Sequence, residues 1–306
     1  MPIRLKRTIV IIVPGCHEKL ILKRGLKKVA HFAHPRHGCQ LFSEGESDEH
    51  LEGKKFIYHE LKQAGWQVQY EAYQSELHQR PDILGQKAGC GLVAFEYQCA
   101  PISFQKLVYR SRGYKQGRLA YIWILGKRYF LKGRLTQQNA MFMHWAPNLG
   151  FYLLFLDIAR KRFEIDYAIQ QADFLPLKYL RHYAYSFQEL VAFLHARHEI
   201  CYYPLTAKQV MTQEYKFQQQ IYYGSKSLAS LRAYCYTKGL TLADLPKQIF
   251  IDSYHPPLYR KPLLVLRSFQ LLDYQDTQAV LKDSLYLLPF VRIPPHLARI
   301  AKSFCG

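Results

Sequence analysis

Two acidic side chains lie in apolar stretches of the sequence, and their spacing suggests metal chemistry. Asp82 follows a proline in Arg-Pro-Asp-Ile-Leu-Gly, and Glu96 lies in Gly-Leu-Val-Ala-Phe-Glu-Tyr-Gln-Cys. Both runs have the composition of short strands, and residues 86–91 supply a turn, so a hairpin is predicted. The hairpin can bring Asp82 opposite Glu96. Two convergent carboxylates can hold a hard divalent cation such as Mg²⁺ or Mn²⁺.

Glu96 would be an acid on an otherwise apolar, internal strand, which is costly unless a cation or hydrogen-bond donors meet it. Pro-Asp, a hairpin and then Glu-x-Gln resembles the PD-(D/E)XK nuclease signature, with Gln98 where a lysine usually stands. The alternative is that Asp82 is a turn residue and Glu96 lies at a strand edge. The chemistry predicted from the signature is metal-dependent phosphodiester cleavage, with Mg²⁺ held by Asp82, Glu96 and the Tyr97 carbonyl.

Gln98 could orient the attacking water, but an amide cannot stabilise a developing anion as a lysine does. A cation from elsewhere would then be needed, and Lys54 or Arg110 could supply it. Glu49 is a candidate to support the metal-binding residues or to bind a second metal ion, because it lies at the edge of the core face of a predicted helix. Equally, Glu49 could simply favour the dipole at the start of that helix.

The elements that would position these residues follow the order helix, three strands, helix, strand. Ser47 can cap the first helix, which runs to about Ala64 and stops at Gly65. The remaining predicted elements are a strand over 66–73, the Asp82 and Glu96 strands, a helix from Ser103 to Gln116, and a buried strand over 120–126. This αβββαβ order is that of a restriction-endonuclease-like core. The second helix carries Arg110 and Tyr114, which with Lys54 are candidate DNA contacts.

The N-terminal segment, residues 1–42, is predicted to form short strands and turns, and it contains a set of possible zinc ligands. Cys16, His31 and His34 are three of these, and Cys39 or His37 is a possible fourth. A zinc ribbon would open with Cys-x-x-Cys, but the first position here is Val13. Structural zinc sites use four protein ligands. A zinc-ribbon-like domain that binds Zn²⁺ and a metal-free remnant of one therefore both remain open.

Beyond the predicted nuclease-like domain, residues 43–165, the chain becomes helix-rich and basic over residues 166–306. Residues 148–163 predict a hairpin packed on the core. The histidines of the last domain are interpreted as core or surface residues, and its paired tyrosines could stack on bases or fill a helical core. These residues are His182, His195, His198, Tyr202, Tyr203, Tyr222 and Tyr223.

The charge distribution favours a polyanionic partner. The net charge is +19, yet residues 44–126 hold equal numbers of basic and acidic residues, so the whole excess lies in the flanks. DNA is the expected partner, ahead of a charge that serves solubility or of membrane phospholipid. The seven cysteines are odd in number and irregularly spaced, which fits a reduced, cytoplasmic setting. No apolar run is long enough to predict a membrane-spanning helix.

Ordered blocks along most of the chain resemble the CoiA family of competence proteins. They are Gly-Cys-His-Glu at 15–18, His-Phe-Ala-His at 31–34, Glu-Ser-Asp-Glu-His-Leu at 46–51, Arg-Pro-Asp-Ile-Leu at 80–84, Phe-Glu-Tyr-Gln-Cys at 95–99, Arg110 with Tyr114, Trp-Ile-Leu-Gly at 123–126, and Asn-Leu-Gly-Phe-Tyr at 148–152. The resemblance implies a PD-(D/E)XK-like core between a zinc-ribbon-like domain and a family-specific C-terminal domain. It also implies a role in processing or recombining DNA taken up during natural transformation, with recombination proteins as possible partners.

Two further hypotheses stand beside the nuclease. The protein could bind DNA or a recombinase without cleaving DNA, and the glutamine at position 98 favours this hypothesis. The retention of both acids favours the enzyme, because a binding module needs no carboxylate on an internal strand. A purely protein-binding factor is the third hypothesis, and strongly salt-dependent DNA binding would exclude it.

Overall fold

The structure is a computed structural model, and it describes residue 19 and residues 21–25, 28–33 and 47–291. The chain divides into two compact units. The first reaches to Arg128 and also contains Ile158–Lys161, and the second comprises Tyr129–Asp157 and the chain from Arg162 onward. The domain boundaries predicted at residues 42 and 165 stay predictions.

The described part of the N-terminal segment contains two antiparallel strands, β1 (Ile21–Gly25) and β2 (Lys28–Ala33). The backbone of His31 lies in β2, opposite Lys23. Cys16, His34, His37 and Cys39 lie outside the described residues. The zinc-ribbon-like domain and its Zn²⁺ therefore stay predictions.

The main part of the first unit consists of four paired strands and two helices. Its elements are α1 (Asp48–Gln63), β3 (Gln67–Tyr70), β4 (Ile83–Lys87), β5 (Gly91–Gln98), α2 (Phe104–Gln116) and β6 (Ala120–Leu125). The sheet order is β3-β4-β5-β6, in which β5 and β6 are parallel and the other pairs are antiparallel. These elements agree with the predicted sequence of helices and strands, and the α/β class is confirmed.

Local sequence explains where these elements begin and end. The Ser47 and Ser103 side chains accept hydrogen bonds from the backbone N–H groups of His50 and Lys106, each at 3.2 Å, and so cap α1 and α2. Strand β3 ends three residues earlier than predicted because Glu71 adopts a positive φ of 48°, which an extended strand cannot accommodate. Helix α1 then packs on β3, β4 and β5. Its fully buried Ile57 and Leu61 form part of the core.

The second unit combines an antiparallel sheet with helices. Its strands are β7 (His144–Ala146), β8 (Gly150–Asp157), β9 (Arg162–Gln170) and β10 (Lys178–Ala184), and each pairs with the next. Its helices are α3 (Gln137–Ala140), α4 (Phe187–His195), α5 (Ala207–Tyr222), α6 (Ala229–Thr237), α7 (Leu263–Leu271) and α8 (Thr277–Ser284). Short 3₁₀ helices also occur in the chain, at Ser75–Leu77, Lys127–Tyr129, Ile158–Arg160, Lys226–Leu228, Leu242–Asp244 and Lys247–Ile249.

The predicted hairpin after residue 148 is present as β8 and β9, and the helix-rich character of the later chain is also present. Strand β10 was not predicted from the sequence, and it lies in the region that was predicted to be helix-rich. Its sequence, Lys-Tyr-Leu-Arg-His-Tyr-Ala, is polar at several positions and lacks the clear alternation of a half-buried strand. Pairing with β9 decides its conformation. Among the described residues, no helix has both the length and the apolar character needed to cross a membrane.

Candidate functional site

The hairpin of β4 and β5 places the two predicted carboxylates on neighbouring strands. Ile83 pairs with Phe95, so Asp82 and Glu96 are the next positions on the two strands. The backbone N–H of Tyr97 donates to Asp82 Oδ2 at 2.8 Å, which fixes the carboxylate beside β5. The structure therefore brings Asp82 and Glu96 together in the way that the hairpin pattern predicts.

Asp82 is held by donors from α1 and β5. His50 Nε2 lies 3.2 Å from Asp82 Oδ2, and the Asp82 side chain is 17% exposed. Burial alone would raise the pKa of Asp82. The His50 hydrogen bond and charge, the charge of Arg110 and the Tyr97 N–H outweigh burial and hold this pKa below its usual value. Asp82 is therefore ionised at neutral pH.

Glu96 is completely buried, and only one of its oxygens has partners. Arg110 Nη2 donates to Oε1 at 2.6 Å, and the Tyr114 hydroxyl donates to the same oxygen. The other oxygen, Oε2, is buried and accepts no hydrogen bond. Burial, opposed by Arg110 and reinforced by the negative charge of Asp82, raises the pKa of Glu96 to about 7.

Helix α2 supplies both groups that bind Glu96. Arg110 and Tyr114 are four residues apart and therefore lie on the same side of the helix. Tyr114 is fully buried, whereas the Arg110 side chain is 24% exposed and borders the surface. Burial opposes the charged form of Arg110, but Glu96 and Tyr114 hold its pKa above the usual value, so the guanidinium stays charged.

Three other predicted site residues bond elsewhere. Glu49 Oε1 accepts a hydrogen bond from the backbone N–H of Lys127 at 2.9 Å, and the ammonium of the buried Lys54 lies 2.6 Å from Glu71 Oε1. The Gln98 amide donates to the carbonyl of Ala100 at 2.7 Å. The roles predicted for Glu49, Lys54 and Gln98 in metal binding, DNA binding and water orientation stay predictions.

Sequence reasoning missed His50. Its ring stacks on Tyr97 with a centroid distance of 5.9 Å and an interplanar angle of 6°. The signal was available in the helical spacing, because His50, Gly53 and Ile57 recur at three and four residues on the side of α1 that meets the sheet. Gly53 permits this approach, since a Cβ there would lie 2.0 Å from Tyr97 Cε1.

The donor set of this site is a pair of carboxylates. No group of three or more His, Cys, Asp or Glu side chains suited to a metal ion occurs among the residues that the structure describes. Asp82 and Glu96 each have one oxygen engaged by protein donors, and the free Oε2 of Glu96 is an oxygen of the type that Mg²⁺ prefers. The pair fits a hard cation that takes its remaining ligands from water or phosphate.

Two sequence-family models match the chain. The model described as "Competence protein CoiA, N-terminal domain" matches residues 13–42, and that described as "Competence protein CoiA, nuclease-like domain" matches residues 46–191. Competence protein CoiA of Bacillus subtilis (strain 168) is 26% identical over 275 residues, which cover 86% of this chain and 71% of that protein. No solved structure gives a significant match. The two models together cover more than half of the sequence, and the chain belongs to the CoiA family of competence proteins.

Proposed function

We propose that this protein cleaves phosphodiester bonds of DNA in a divalent-metal-dependent reaction at Asp82 and Glu96. The observation that carries the proposal is the buried Oε2 of Glu96, which has no donor while the neighbouring Asp82 is held ionised. A buried carboxylate oxygen without a partner is costly, and a bound cation would remove that cost. The αβββαβ order of elements supports a restriction-endonuclease-like core.

Mg²⁺ or Mn²⁺ would be held by Asp82 and Glu96, and when bound it would polarise the phosphate and lower the pKa of an attacking water. The chain's own residues prepare the two carboxylates for this role. Tyr97 N–H and His50 orient Asp82, whereas Arg110 and Tyr114 hold Oε1 of Glu96, and the buried Oε2 accepts no hydrogen bond. Arg110 also supplies a positive charge beside the pair, which would stabilise the additional negative charge that develops on a phosphate during cleavage.

The biological role we propose is the processing of incoming DNA in the cytoplasm during natural transformation, in support of its recombination. Membership of the CoiA family supports a competence role. The excess of positive charge, +19 in all, lies outside residues 44–126 and suits a polyanionic substrate. Recombination proteins are the expected protein partners.

A second candidate function is DNA or recombinase binding without cleavage. Three observations favour it. Gln98 occupies the position of the usual lysine, and the Lys54 ammonium that could replace that lysine is engaged by Glu71. Arg110 also neutralises Glu96 directly, which reduces the negative charge available to a cation.

The test is incubation of the purified full chain with single-stranded, duplex and branched DNA in the presence of Mg²⁺ or Mn²⁺. We expect cleavage that is lost in Asp82→Asn and Glu96→Gln and retained in Glu76→Gln, a matched control because Glu76 is an exposed carboxylate. Titration calorimetry with Mg²⁺ alone gives an independent readout. Binding of DNA without cleavage, unchanged by both substitutions, would support the second candidate and contradict the first.

A further inference from the structure

One side of α2 continues from the carboxylate site to the protein surface. Lys106, Tyr109, Arg110 and Gly113 recur at intervals of three and four residues, so they lie along one side of the helix. The helix contains no acidic residue over Phe104–Gln116. This side of α2, defined by those four residues, is named the α2 stripe.

The two ends of the α2 stripe differ in their exposure to solvent. At Gly113 the stripe is covered by the buried Gln79, whose amide donates to the carbonyl of Arg110 at 2.9 Å. A Cβ at position 113 would lie 2.1 Å from the Gln79 Nε2 atom, so glycine permits this contact. At the other end Lys106 is exposed, and the Tyr109 side chain is 61% exposed. The open end therefore presents an aromatic ring between two basic residues.

Arg110 connects this open end to the carboxylate site. It lies next to Tyr109 in the chain and one helical turn after Lys106, and its Nη2 atom contacts Glu96. Its side chain is 24% exposed, so the side chain can contact a ligand while Nη2 stays on the carboxylate. A ligand that lay on Lys106 and Tyr109 would therefore reach Glu96 through Arg110.

We infer that the α2 stripe binds an unpaired DNA strand, with a base stacked on the Tyr109 ring and phosphates at Lys106 and Arg110. This inference rests on the proposed function for the identity of the ligand and extends it to the contacts that guide the strand. The positive charges of Lys106 and Arg110 attract phosphates, and α2 carries no acidic residue that would repel them. An exposed aromatic ring stacks on the face of any unpaired base, whereas paired bases in a duplex do not offer that face.

Helix α2 also offers a matched control. Lys115 is exposed and basic like Lys106, and it follows Lys106 by about two and a half turns, which places it on the opposite side of the helix. A general electrostatic effect would weaken both variants equally. A bound strand on the α2 stripe would weaken only the Lys106 variant.

The experiment measures binding of the full chain to a fluorescent single-stranded oligothymidine and to a duplex of equal length, in EDTA so that cleavage cannot occur. We expect Tyr109→Ala to weaken single-strand binding about tenfold and duplex binding much less, with Tyr109→Phe close to the parent protein. Lys106→Gln should reduce the slope of log affinity against log salt by about 0.7, and Lys115→Gln should leave it unchanged.

The inference is overturned if the protein does not bind single strands, if Tyr109→Ala binds them as the parent does, or if Lys106→Gln and Lys115→Gln have equal effects. The proposed cleavage can fail separately. If the protein binds single strands through Tyr109 and Lys106 but never cuts with Mg²⁺ or Mn²⁺, the α2 stripe is supported as a binding site and the proposed cleavage is contradicted. Circular dichroism of each variant checks that the fold is intact.

Discussion

The Arg110 guanidinium donates to Glu96 Oε1 at 2.6 Å, and this contact links α2 to the buried strand β5. The Glu96 side chain is 0% exposed and the Arg110 side chain 24%. A buried carboxylate without a partner would be strongly destabilising, so Arg110 compensates for the position of Glu96 in the core. The contact also directs Oε1 towards α2, while the buried Oε2 accepts no hydrogen bond.

Glu96 and Arg110 should therefore be energetically coupled. We expect Arg110→Met to lower the free energy of unfolding by about 3 kcal/mol, because it leaves the fully buried Glu96 carboxylate without its counter-charge. Combined with Glu96→Gln, the loss should be smaller than the sum of the single losses, with a coupling of about 1–3 kcal/mol. Urea unfolding of the parent, both single variants and the double variant measures this. Strictly additive losses would show that the contact contributes nothing to stability.

His50 should act as a positioning residue for Asp82. His50→Ala removes the hydrogen bond to Oδ2, and we expect cleavage to fall about 10- to 100-fold, as is usual when a partner of a metal-binding side chain is lost. His50→Gln, which can still donate, should recover part of the rate. Metal affinity measured by calorimetry should change in parallel. Full activity of His50→Ala would refute this role.

Gly53 should tolerate no side chain. A Cβ at this position would lie 2.0 Å from Tyr97 Cε1, and Tyr97 is a buried residue of β5. We expect Gly53→Ala to lower the free energy of unfolding by about 1–3 kcal/mol, since the ring or the helix must move. Glu52→Ala, an exposed position on the same helix, is the control and should change stability by less than about 0.5 kcal/mol. Equal stability of the two variants would contradict the close packing.

His255 should make stability depend on pH. Burial lowers the pKa of His255 from 6.5 to about 4. Above pH 6.5 the ring is neutral in both states, so it adds no pH dependence. As the pH falls from 6.5 to 4, the unfolded chain binds a proton that the folded protein excludes, and stability declines by about 3 kcal/mol in total. Below that range the contribution is constant.

The measurement for His255 is urea unfolding between pH 7.5 and pH 4.5 of the parent and of His255→Gln. The other histidines are common to both proteins, so the difference between the two curves isolates this residue. We expect the variant to lose less stability than the parent on acidification. Parallel curves would show that His255 is protonated in the folded protein.

Local sequence was sufficient to predict the helices and strands of the main part of the first unit and the pairing of the two carboxylates. Ser47 and Ser103 cap helices through contacts within one turn, and a hairpin with a short turn has a register that alternation specifies. Asp82 and Glu96 could be paired because only that hairpin separates them. The family could be recognised from the same short blocks of residues.

Tertiary structure alone decided which donors each carboxylate receives. His50 and Arg110 reach the pair from helices that precede and follow the hairpin, and Lys54 pairs with Glu71. Helical spacing shows that His50 and Lys54 both lie near the core, but not which acid each one meets. That choice depends on how α1 and α2 cross the sheet, and the crossing follows from packing at positions such as Gly53, where the absence of a side chain sets the distance.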